Sequence, residues 1–131
     1  MMKSGSALLT IFLGVVAFNV SAADFDGSKP LLCATIEAHT CDLGVACSRS
    51  LPEDIGAPKF LSLDFAKKVI VGPVRTTPML NVNQDPKQIV IEGMELGYGW
   101  TLVLDSGDGS MTLMIVNNAN AYVLFGNCTT R

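Results

Sequence analysis

The chain has 131 residues, of which 49% are hydrophobic and 16% charged, a balance that suits a folded domain and excludes a disordered chain. Twelve Asp and Glu stand against nine Lys and Arg, and the basic residues form no cluster, so neither nucleic acid nor anionic lipid is an expected partner.

Residues 1–23 read as a cleaved export signal. Lys3 supplies the positive start, Ala7 to Phe18 is an apolar run of twelve, and Ser21-Ala22-Ala23 offers small residues at the cleavage point before Asp24. As a helix that run reaches about 18 Å, short of the roughly 30 Å of a hydrocarbon core. The remaining residues 24–131 are expected to form one domain, periplasmic or secreted, with no stable membrane insertion after cleavage. Without Lys3 its charge balance is 12 acidic against 8 basic residues, a net of −4.

Export determines how Cys33, Cys41, Cys47 and Cys128 are read, because an oxidising compartment pairs thiols. Three pairings are open. Cys41 with Cys47 is favoured because Gly44 lets the short loop reverse, and Cys33 with Cys128 then ties the start of the domain to its end. His39 near Cys41 suggests metal, but no CxxC pair or zinc spacing accompanies it, so His39 is read as a solvated loop residue.

Leu31 to Glu37 reads as a first strand. Leu51 to Gly56 allows a single helical turn, with Ser50 as its cap and Pro52 in its first turn, stopped by Gly56 and Pro58. Phe60 to Phe65 alternates, with Leu61, Leu63 and Phe65 on one face, and Lys67 to Val71 continues after a bend. Leu80 to Val82 and Lys87 to Glu92 flank the turn-forming Asn83 to Pro86, with Leu80, Val82, Ile89 and Ile91 expected to face in. Trp100 to Asp105 and Met111 to Val116 form the clearest hairpin, and Ala121 to Phe125 returns toward Cys128.

This pattern predicts an all-β domain: a small antiparallel barrel, or barrel-like meander, of seven to eight short strands. Closure would set the first and last strands side by side, where a Cys33–Cys128 bridge fits.

The segments Phe25 to Ala34 (FDGSKPLLCA), Pro58 to Phe65 (PKFLSLDF) and Tyr122 to Thr129 (YVLFGNCT) resemble an uncharacterised family of small exported bacterial proteins with four cysteines. The resemblance implies a bacterial, periplasmic setting and an all-β build. It brings no activity, ligand or catalytic residue with it.

No residue set reads as catalytic, cofactor-binding or metal-binding. Asp105 to Ser110 lacks the acidic spacing of a calcium loop and is read as a hairpin turn. His39 is the only histidine, and no GxSxG surrounds any serine. Met79, Met94, Met111 and Met114 are expected to fill core and inter-strand space. Gly93 to Trp100 reads as a glycine-rich turn or bulge, and if the barrel has a binding mouth, Tyr98 and Trp100 are expected at its rim. The expected function is therefore a non-catalytic exported binding module for a small apolar ligand or a protein partner. The alternative is a small hydrolase built on paired carboxylates, which leave no mark in sequence.

Overall fold

The computed structural model describes residues 24–131. The expected signal over residues 1–23 lies outside the described residues. The domain is one curled antiparallel sheet with strands β1 (Leu31–Asp42), β2 (Ser48–Ser50), β3 (Phe60–Asp64), β4 (Val69–Val71), β5 (Thr76–Pro78), β6 (Asn81–Gln84), β7 (Gln88–Glu95), β8 (Tyr98–Asp105), β9 (Ser110–Val116) and β10 (Asn120–Thr130). A single 3-10 turn, Pro52–Ile55, precedes β3.

Around the sheet the order is β5-β4-β3-β1-β10-β9-β8-β7-β6, with β2 added beside β1. Its two ends, β5 and β6, belong to one extended segment that changes partner midway. Met79 N–H donates to the Lys68 carbonyl at 2.9 Å on one side, and Leu80 N–H donates to the Glu92 carbonyl at 2.8 Å on the other. The curl thus brings the sheet ends together without leaving two long open edges, the feature that makes an isolated sheet prone to association.

Alternation produces the core. Leu31 and Cys33, Leu61 and Leu63, Ile89 and Ile91, Trp100, Leu102 and Leu104, Met111 and Leu113, and Leu124 and Cys128 all point inward and are buried. Each fully buried Leu or Ile contributes about 1.5–3 kcal/mol through the apolar surface it removes from water. Strand β1 breaks alternation once: a bulge between Thr35 and Glu37 turns Ile36 outward and lets both Thr35 and Ala38 face in.

Both disulfides are formed, Cys33 with Cys128 and Cys41 with Cys47. In the register of β1 and β10, Cys33 lies directly opposite Cys128.

Several local expectations are corrected. β1 continues to Asp42, so His39 is on a strand and half-buried, held there by pairing with Val123 of β10 and Arg49 of β2. Leu80 is 58% exposed and Val82 is also exposed, because the segment is the seam of the sheet and Met79 takes its inward position. Met111 is buried, but Met94 and Met114 lie on the outer wall. Ser50 does not cap the 3-10 turn. Leu51 is its N-cap residue, and Asp54 Oδ2 accepts the Leu51 N–H at 3.3 Å.

Candidate functional site

The two ends of the barrel differ. At one end residues 25 and 26 lie across the opening. Gln84 Nε2 donates to the Asp26 carbonyl at 2.6 Å, and Phe25 packs against the core so closely that a Cβ on Gly109 would lie 2.6 Å from its ring. The neighbouring turn is locally satisfied: Asp105 Oδ1 accepts the N–H groups of Gly107 at 2.7 Å and Asp108 at 3.1 Å, and Asp108 Oδ1 accepts that of Ser110 at 2.8 Å. These carboxylates cap backbone donors. Asp108 is accordingly held below its ordinary pKa by the hydrogen bonds from Ser110.

The other end contains a cavity of about 470 Å³, within the range of small-molecule sites. The β1 bulge explains why it exists. β3 leaves β1 at the Ala34–Phe60 pair, and from there β1 runs on with β10 and with the short β2. Residues 55–59 complete that wall, anchored where Thr35 Oγ1 donates to the Pro58 carbonyl at 2.7 Å and Thr35 N–H to the Lys59 carbonyl at 2.9 Å.

Leu61, Ile70, Ala57 and Ile115 supply apolar walls, and Tyr98 and Tyr122 face each other with ring centroids 6.4 Å apart. Val74 adds to the apolar lining, and its charged residues are Lys59, Arg75 and Glu95. None of the three described ion pairs, Lys29–Asp24, His39–Glu37 and Arg49–Glu37, involves these charges. Two cations thus stand beside an apolar recess with their charge uncommitted to other described side chains.

Of the two aromatic residues expected at the rim, Tyr98 lines this cavity. Trp100 does not. It is buried one inward step further along β8, opposite Ile115, and its six-membered ring lies over Gly93, where a Cβ would collide with it. Its indole N–H has no hydrogen-bond partner in the protein. Arg75, Lys59, Ile115 and Tyr122 were not singled out from sequence. They come from separate segments, and only alternation within β9 and β10 marks Ile115 and Tyr122 as inward.

A polar cluster occupies the outer wall. His39 Nε2 lies 2.7 Å from Glu37 Oε1, and Arg49 Nη2 donates to Glu37 Oε2 at 2.8 Å, while the His39 ring meets Phe125 edge-on at 6.0 Å. The hydrogen bond from His39, and then the charge of Arg49, hold the Glu37 carboxyl below its ordinary value of 4.5. The sign follows from that lowering: the contribution is complete above pH 4.5 and disappears as pH falls through the lowered folded value. Urea midpoints measured from about pH 5 to pH 3 should fall more for the parent than for a Glu37→Gln variant. Because the groups are partly solvated, the difference is small. Equal slopes would remove the pair as an acid-sensitive element.

Next to this cluster is a shallow cleft with Glu37, Arg49 and Asp54 among its lining residues. It is the place where two acids approach one surface recess, but both oxygens of Glu37 are already engaged. Among the described residues, no three His, Cys, Asp or Glu side chains gather as a metal site.

Comparison with family models, curated proteins and solved structures finds no match. The likeness carried by Phe25–Ala34, Pro58–Phe65 and Tyr122–Thr129 therefore identifies no family. What stands is a small all-β curled antiparallel sheet with two disulfides, which indicate an oxidising, extracytoplasmic environment.

Proposed function

We propose that this protein is a non-catalytic, exported binding module, periplasmic or secreted, that holds a small apolar ligand in the open end of the barrel. The supporting observation is the asymmetry of the interior. One end is filled by Phe25 and its neighbours, and the other keeps a cavity of about 470 Å³ with aliphatic walls and a tyrosine pair. Tyr98 and Tyr122 offer apolar ring faces with polar tips, the combination that grips an apolar body and orients a polar group. Lys59 and Arg75 add donors, so the ligand class that fits is an apolar body with a polar or anionic head.

The test uses N-phenyl-1-naphthylamine as an apolar fluorescent probe and dodecanoate as competitor. Saturable one-to-one binding, displacement by dodecanoate and a raised melting temperature are expected; at a hundredfold excess over Kd the gain is about 2.7 kcal/mol. Ala57→Trp, which fills the recess from its own wall, should weaken probe binding by at least about tenfold while the fold persists. Unchanged affinity in that variant, or no binding of either compound by the parent, would sink the reading.

A further inference from the structure

We infer that the cavity end of the barrel docks reversibly on a zwitterionic lipid surface through aliphatic loop tips. The basis is where the four most exposed large apolar side chains lie. Leu43 is 98% exposed, Val74 82%, Leu96 71% and Val45 66%. All four are on connections at one end: residues 43–47 between β1 and β2, 72–75 between β4 and β5, and 96–97 between β7 and β8. The connections at the opposite end, residues 65–68, 85–87 and 106–109, show no exposed large aliphatic side chain. Other exposed apolar residues, among them Ile36, Phe60 and Leu80, are scattered over strands and seam and need no explanation, but the gathering of the four most exposed on loops at one end does.

One of these tips is built at a cost to the fold. Leu96 and Gly97 form a two-residue hairpin turn with φ of 50° and 81°. That turn favours Asn-Gly or Asp-Gly, because a Cβ crowds the backbone in the left-handed region. An aliphatic residue there is strained and exposed at once, the combination that points to a role outside folding. Leu43 and Val45 are carried by a loop that the Cys41–Cys47 bridge closes, so their presentation is fixed.

Charge selects the occupant. Residues 43–47 and 96–97 contain no ionisable group, and the surrounding charges are Asp42, Glu53, Asp54 and Glu95 against Arg49, Lys59 and Arg75, a slight acidic excess. An anionic surface would be repelled, whereas a zwitterionic one is not. Separate anchors around an opening also suit a fluid interface, which receives each tip without a matching pocket. Docking stands on these exposures alone. Its use, transfer of an apolar ligand between cavity and lipid without passage through water, rests on the proposed ligand reading.

The test is co-sedimentation with phosphatidylcholine vesicles, using the chain from Asp24 onward, which contains every described strand, both disulfides and the whole core. Partitioning of the parent should be insensitive to salt, and a Leu43→Asp, Val45→Asp, Leu96→Asp triple variant, which leaves every cavity-lining residue in place, should partition at least about tenfold more weakly. Leu96→Asn should raise the melting temperature and weaken partitioning by about threefold, separating the tip's role in docking from its cost to the turn. Probe binding in solution should not change in either variant, so failure of docking and failure of ligand binding are read separately. A parent that does not sediment with vesicles, or a triple variant that sediments equally, overturns the inference. So does a parent dimer that the triple variant converts to monomer, since a second copy would then cover these tips.

Discussion

Replacing Cys33 and Cys128 together with alanine is expected to remove about 4.7 kcal/mol of stability, the chain-entropy value for a loop of roughly a hundred residues. The two cysteines are 95 positions apart in sequence and face each other across the pair formed by the first and last long strands. Both are buried in the core, so the loss of their sulfurs adds a packing deficit to the lost crosslink. Removing Cys41 and Cys47 in the same way should cost about half as much, because that loop is short. Against a net folding free energy of about 5–15 kcal/mol, the first change approaches the whole and the second does not. Urea midpoints of the two double variants, measured with the parent, decide the matter. Equal shifts would show that the long bridge does not constrain the unfolded chain as its span requires. Mild reduction should open Cys41–Cys47 first, since Cys47 is exposed and Cys33 is fully buried.

Gly126→Ala is expected to destabilise the domain by about 3 kcal/mol or to prevent folding. Gly126 is on β10 opposite Thr35, at the edge of the β1 bulge. A Cβ there would overlap the Ala34 carbonyl oxygen and come within 2.8 Å of Met111 Cε. The methionine tip can move; the carbonyl belongs to a paired strand and cannot move without disturbing the bulge that shapes the cavity wall. Gly99→Ala is the matched control, because a Cβ at that position meets nothing within 4 Å. It should change stability by less than about 0.5 kcal/mol. If both variants melt with the parent, β1 and β10 do not approach as closely as described.

The hairpin of β8 and β9 was legible because Trp100, Leu102, Leu104, Met111 and Leu113 alternate without interruption across an Asp-Gly turn, and all are buried. The far half of β1 was not. Ala38 to Asp42 contains a histidine, a threonine and a cysteine and no apolar run, and it is a strand only because β10 continues beside it. Leu80 and Val82 misled for the converse reason: they look like a strand's inward face, but their segment joins two partners and turns them out.

The candidate site followed the same division. Tyr98 drew attention through its glycine-rich surroundings. Its partner Tyr122 carries only the alternation of β10, and the cations Lys59 and Arg75 carry no local signal, because each is supplied by a different stretch of chain.

Residue order by itself determined where the strongly alternating strands and their turns fall, which of their faces are apolar, and that four cysteines have partners to find, since these depend on neighbouring peptide units and on composition. The tertiary structure alone decided that Cys33 faces Cys128, that one barrel end is filled while the other stays open, and that the apolar tips share the open end. Those outcomes depend on register between segments up to a hundred positions apart, where a shift of one residue would turn every side chain to the opposite face.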